Sequence, residues 1–214
     1  MKNNYIKVFG QATLQVDGAC LKNLTQNHKG SMNIVELGTF YGRHAILWNE
    51  ILEQDSFKYN YITIDEEEYI GSQIARMQAK ENLAIYAPSV KKVVAKTYVA
   101  AASDFDDANI DILHIDNVRE VQKLCDILIA WCEKVSIGGS ISYTLPNKAG
   151  QELYCYQHAL ANLQKKGFEI GQYEHFGLLK KVKPELVEKV QNKNKINDKS
   201  HNDLIDKSKK QEIV

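Results

Sequence analysis

Apolar and polar positions change rhythm in blocks along this chain. NIVEL at 33–37 is a short apolar run ending at a turn, as a buried strand does. After it, Ala45, Ile46, Trp48, Ile51 and Leu52 recur at helical spacing, predicting a helix over 43–53. YNYITI at 59–64 reads as a second strand. A helix should run from 66 to about 82, opened by acids that suit the positive end of its dipole. KVVA at 92–95 and DILHI at 111–115 supply the third and fourth strands. Over 119–134, Val121, Leu124, Cys125, Leu128, Trp131 and Cys132 share one helical face, and Gly138–Gly139 is expected to stop that helix. SISYTL at 140–145 is the fifth strand. A helix over 151–166 closes at Gly167, and 168–173 and 177–182 follow as two strands with no helix between them. A leading helix is expected around 17–27.

Strands alternating with helices predict the α/β class: a doubly wound, mostly parallel seven-stranded sheet, with an antiparallel C-terminal hairpin at one edge. This domain would span 1–182. From 183 the chain is rich in Lys, Asn and Asp and carries no long amphipathic stripe, so 183–214 reads as a polar, charged tail, mobile or loosely helical. No internal repeat is visible.

Composition narrows the function classes. The 214 residues suit one good-sized domain. Lys+Arg and Asp+Glu balance at 27 each, so no whole-surface attraction to nucleic acid or anionic membrane is indicated. The first residues hold no apolar signal-type run, and nothing later reaches membrane-spanning length, which makes the cytoplasm the expected location. Cys20, Cys125, Cys132 and Cys155 form no CxxC pair, so metal and disulfide readings are weak, and core packing is expected of Cys125 and Cys132, two turns apart on one predicted helix.

The chemistry concentrates behind the first strand. Gly38 and Gly42 follow it and open a helix, where a parallel sheet binds ligands beyond its strand ends. A dinucleotide fingerprint would need Gly where Phe40 and Arg43 stand, and a phosphate loop would need Gly-Lys-Ser/Thr where Arg43-His44 stands. The pocket is therefore expected to take a nucleoside-type ligand without pyrophosphate. Glu36 ends the first strand and can face a cation. Asp65 ends the second and can accept two hydrogen bonds from ribose hydroxyls. Ribose, an ammonium and a positive centre without phosphate describe S-adenosyl-L-methionine (SAM).

VELGTFYGRHA, with ITIDEEE and DILHIDN further on, resembles the class I SAM-dependent methyltransferases, and within them small-molecule O-methyltransferases. The likeness runs from about 16 to 182 and implies the Rossmann-like methyltransferase fold. It implies that Glu36, Gly38, Thr39 and Gly42 line the methionine part of the cofactor. It places Asp65 on the ribose with Glu66 beside it, Thr97 and Tyr98 near adenine, and Asp116 as the catalytic residue facing the methyl group. The departures are His44 for a Ser, Lys96 for an acid, and Asp116-Asn117-Val118-Arg119 for the subgroup's Asp-Gly-Asp-His. With the second acid and the His gone, too few oxygen ligands remain for a catechol-type metal site, and no catalytic metal is expected. His114, His158 and His175 are weaker base candidates, with His114 expected to be a satisfied structural histidine. The expected partner is a small-molecule or sugar-like acceptor, with a homo-oligomer left open. Two alternatives stand beside this reading: a non-catalytic relative, and a different nucleotide enzyme such as a reductase, which the failed fingerprint disfavours.

Overall fold

The computed structural model describes residues 14–25, 28, 30–66, 72–116, 118–146, 150–173 and 176–183. The expected tail after its first residue, His175, Asn117 and the opening residues 67–71 of the expected third helix lie outside them. The fold below is that of the described residues up to Lys181.

Helix α1 is Leu14–Thr25, followed by β1 (Ser31–Leu37), α2 (Arg43–Gln54) and β2 (Lys58–Glu66). Then come α3 (Ser72–Tyr86), β3 (Lys91–Ala95), the one-turn helix α4 (Tyr98–Ala101) and a 3₁₀ turn over Ala102–Asp104. The rest is β4 (Ile110–Ile115), α5 (Val121–Trp131), β5 (Val135–Thr144), α6 (Gly150–Lys165), β6 (Phe168–Tyr173) and β7 (Phe176–Lys181). The strands form one seven-stranded sheet in the order β3-β2-β1-β4-β5-β7-β6. β1 to β5 are parallel, while β7 runs antiparallel to both β5 and β6. The expected α/β sheet with its C-terminal hairpin is therefore present.

Alternation along β1 explains why both faces are covered. Met32 and Ile34 enter an apolar cluster with Leu21 of α1, Ala45, Leu47 and Trp48 of α2 and Leu83 of α3. Val35 and Leu37 enter the opposite cluster with Leu124, Leu128 and Trp131 of α5 and Ala159 and Leu163 of α6. Successive side chains point to opposite faces, so one apolar run feeds two cores. Each fully buried large side chain contributes about 1.5–3 kcal/mol. Cys125 and Cys132 are buried thiols, in keeping with their expected packing role, and Cys20 is buried as well.

Two differences from the sequence reading have clear causes. Gly138 and Gly139 do not stop a helix; α5 ends seven residues or so earlier, at Trp131, and both glycines lie inside β5. There the β4–β5 register shifts between Ile110 and Ile112. A Cβ on Gly139 would stand 2.9 Å from the carbonyl oxygens of both Ile110 and Asp111, so the irregularity requires glycine. Helix α4 was not foreseen. It is four residues long, below what periodicity can show, and is nucleated by Thr97, whose hydroxyl accepts from Ala100 N at 3.0 Å.

Candidate functional site

The strand order reverses between β1 and β4, and a crevice lies beyond their carboxyl ends. Gly38 N donates to Ile64 O at 2.8 Å and Asp116 N donates to Leu37 O at 2.9 Å, tying the loops after β1 and β4 to the sheet edge. Gly38 has φ +105°, and a Cβ there would lie 2.8 Å from the Asp116 carbonyl oxygen. Close backbone approach and a left-handed dihedral both demand glycine at this point. Phe40 also takes a positive φ, 47°, and its ring, 49 % exposed, stands at the rim.

The crevice is a cavity of about 370 Å³ lined by Gly38, Phe40, Asp65, Tyr98, Asp116 and Lys123, among others. Asp65, the last residue but one of β2, enters it with its carboxylate already held: Lys92 Nζ lies 3.3 Å from Oδ2, and Phe40 N donates to Oδ1 at 3.4 Å. Glu66 Oε1 accepts from Tyr98 N at 2.9 Å, while its Oε2 pairs with Lys123. The Lys123 ammonium sits 5.4 Å above the Tyr98 ring. Burial pushes the Tyr98 phenol up, so it is a neutral hydroxyl near pH 7.

Beneath the cavity a polar row crosses four strands. Thr63 of β2 is in register with Glu36 of β1, Glu36 with His114 of β4, and His114 with Ser142 of β5. All four are buried. Thr63 shares a 2.7 Å hydrogen bond with Thr39, and His114 Nδ1 lies 2.9 Å from Ser142 Oγ. Tyr61 OH donates to Glu36 Oε2 at 3.3 Å, while Glu36 Oε1 has no hydrogen-bond partner among the described residues. Burial pushes the Glu36 carboxyl up to about 7 against the opposing effects of His44, Thr63 and Tyr61.

His44, at the start of α2, places Nδ1 3.0 Å from Asp116 Oδ2. Partial burial of Asp116 works to raise its pKa, but His44, with His114 and Arg43, reverses this and holds the carboxyl well below the usual range. His44, His114 and Asp116 offer ligand atoms within 4.8 Å of one another, the one group among the described residues close enough to hold a metal ion. Sequence reading counted oxygen ligands after β4 and so did not bring α2 into this group.

Of the residues named from sequence, Gly38, Asp65, Glu66, Tyr98 and Asp116 meet at the cavity wall. Glu36 and Thr39 lie buried below it. Gly42 is the left-handed residue before α2, and its Cα faces Leu83 of α3 rather than the cavity. Thr97 faces a separate cleft beside Lys96 and caps α4. His114 is fully buried against Ser142, as expected of a structural histidine, and His158 is exposed on α6. Sequence reading passed over Arg119 and Lys123 as wall residues. Lys123 is half-buried on α5, one turn before the buried Ile127, and nothing in its local pattern marked it.

No family profile matches the sequence, nor does any curated protein. Solved structures do match. The O-methyltransferase TomG from Streptomyces achromogenes, involved in tomaymycin synthesis and solved in complex with SAM, is 16% identical. The match covers 84% of this chain and 87% of TomG, with a TM-score of 0.58. A Podospora anserina methyltransferase bound to S-adenosylhomocysteine (SAH) is 11% identical over 86% of this chain and 89% of its own, with a TM-score of 0.57. The CMeT domain of the citrinin polyketide synthase is 11% identical over 86% of this chain and 60% of that one, with a TM-score of 0.58. Sheet order, hairpin and these likenesses together establish that the chain carries the Rossmann-like fold of the class I SAM-dependent methyltransferases.

Proposed function

We propose that the chain is a SAM-dependent methyltransferase acting on a small-molecule or sugar-like acceptor. One observation carries this reading: the cavity at the strand reversal joins the open backbone of Gly38 to two carboxylates on separate strand ends, Asp65 and Asp116. Its wall carries four acids, Asp65, Glu66, Asp116 and Glu120, against two cations, Arg119 and Lys123, an acidic balance that suits a cationic ligand better than a pyrophosphate. The likeness to SAM- and SAH-bound methyltransferases supports the same ligand.

In this reading Asp65 accepts from the ribose hydroxyls, having been pre-oriented by Lys92 and Phe40 N. Glu66 and Tyr98 serve the adenine end, while Thr97, whose hydroxyl caps α4, supports Tyr98 from outside the cavity. Glu36 and Thr39 shape the methionine end from below, and Gly42 acts only through the turn that opens α2. Bound SAM supplies an electrophilic methyl carbon; the chain aligns the acceptor in line with it and excludes water. Asp116, kept ionised by His44, accepts a hydrogen bond from the acceptor's hydroxyl and fixes its lone pair. Because its pKa is low, Asp116 is an orienting acceptor first and a weak base second.

We place the transfer without a metal, since Asp116 and His44 already satisfy one another. A chelator should leave the rate unchanged. Loss of activity on chelation, restored by a divalent cation, would favour a metal-dependent reading in which His44, His114 and Asp116 hold the ion. The non-catalytic alternative rests on the missing acid and His after Asp116. No helix among the described residues is long and apolar enough to cross a membrane. The buried free thiols suit a reducing compartment, and we place the protein in the cytoplasm, with no nucleic-acid partner.

Titration calorimetry with SAM and SAH tests the assignment. Binding is expected, and Asp65→Ala should weaken it by about 1–3 kcal/mol, the scale of a hydrogen bond to a charged group. No binding to the folded protein at millimolar ligand, or unchanged affinity in the variant, would overturn it. Binding without turnover over a broad acceptor screen would favour the non-catalytic relative.

A further inference from the structure

At the β3 edge of the sheet a second cavity opens, independent of the methyltransferase reading. Val90 and, two and four residues on, Lys92 and Val94 supply its strand side. Arg76 and Met77 on one turn of α3 and Lys80 on the next supply its helix side. Its volume is about 510 Å³, within the range of small-molecule sites. Two features set it apart from an ordinary gap between helix and strand. Met77 and Val94 are large apolar residues left 61% and 44% exposed. All three charged residues on the wall are cations, and no Asp or Glu lines it.

We propose that this groove binds an amphipathic organic anion. A hydrocarbon or aryl body would lie on Met77, Val90 and Val94, and one carboxylate or phosphate group would be held between Lys80, Lys92 and Arg76. The ammonium of Lys92 is already positioned: it pairs with Asp65 at 3.3 Å and donates to the Arg76 carbonyl at 3.4 Å. Burial lowers its pKa while Asp65 opposes that effect, so an added anion meets a partly desolvated cation. A neutral apolar ligand would leave three like charges around it without new counter-charge. A second copy of the chain docked on this face about a two-fold axis would bring the same cations together, which opposes self-association here. The combination of bare apolar wall and one-signed charge therefore favours a free amphipathic anion.

The test uses the full chain and decyl compounds of matched length: decanoate, decyl phosphate, decanol and decyltrimethylammonium, followed by titration calorimetry. One-to-one binding of decanoate or decyl phosphate is expected, with decanol at least about tenfold weaker and the cation weaker still. Lys80 is exposed on α3, so Lys80→Glu should keep the melting temperature while weakening decanoate at least about tenfold, and Lys80→Arg should retain it. Absence of anion binding, equal binding of decanol, or an unchanged affinity in Lys80→Glu would overturn the proposal. Sedimentation with phosphatidylglycerol vesicles separates a free anion from a lipid surface. The protein should stay in the supernatant; capture on vesicles that Lys80→Glu abolishes would overturn the free-ligand reading in favour of a membrane surface.

Discussion

Glu36 and Asp116 face the same buried row yet are driven to opposite protonation states. Asp116 has the His44 imidazole 3.0 Å away and Glu36 has an oxygen with no hydrogen-bond partner among the described residues. The consequences for pH run in opposite directions. Between 4.5, the ordinary value for Glu36, and about 7, the folded protein holds a proton that the unfolded chain releases. Stability contributed by Glu36 is therefore greatest below 4.5 and is lost as pH rises through about 7, by at most about 3 kcal/mol. Glu36→Gln should flatten this part of a stability–pH curve measured by denaturant unfolding. Asp116 contributes stability above its ordinary pKa and loses it as pH falls. His44→Ala should raise the Asp116 pKa and move the acidic limb of a methyl-transfer pH profile to higher pH, an effect that a packing defect alone would not produce. Gly38→Ala puts a Cβ into the Asp116 carbonyl and should cost both ligand affinity and about 1–3 kcal/mol of stability by chemical denaturation.

At the scale of elements, the polar row is a product of strand register. Glu36, Thr63, His114 and Ser142 are scattered over more than a hundred residues, yet parallel pairing lines them up on one face. Period-2 alternation places each of them on the face covered by α2, whose first turn delivers His44. The bulge at Gly139 belongs to the same level. Gly139→Ala should force the β4–β5 ladder apart and cost about 1–3 kcal/mol, read as a lowered denaturation midpoint. Thr97 was named as an adenine contact from resemblance, and the structure puts it at the start of α4 with its hydroxyl on Ala100 N. Thr97→Ala should cost about 1 kcal/mol through the lost cap. Tyr98, the next residue, is anchored by Trp131 Nε1, which donates to its carbonyl at 2.8 Å, and so presents its ring to the cavity.

Across the whole molecule, the strand reversal between β1 and β4 sets the cavity, and the clusters on either face hold its walls apart. A ligand that binds only the folded state should stabilise it by about 2.7 kcal/mol at a hundred times its dissociation constant. SAH should accordingly raise the melting temperature in a concentration-dependent way in thermal-shift measurements, and the Asp65→Ala variant should show a smaller rise at equal ligand. The same scale separates the two cavities: one at the strand ends with four acids and two cations, the other at the β3 edge with three cations and no acid. Lys92 is the residue they share, through its pairing with Asp65.

The amino-acid sequence by itself determined the class of fold, since local periodicity reports which face of each element meets a core, and each strand was found within a few residues of its expected place. It also marked Gly38, Asp65 and Asp116, because strand-end positions in a parallel sheet are defined by local pattern. Only tertiary structure decided that Gly138–Gly139 lie in a strand, that Lys92 holds Asp65, that Lys123 closes over Tyr98, and that His44 reaches Asp116. These depend on pairs distant in sequence. Their meeting is set by register and packing, which no short stretch of the chain encodes.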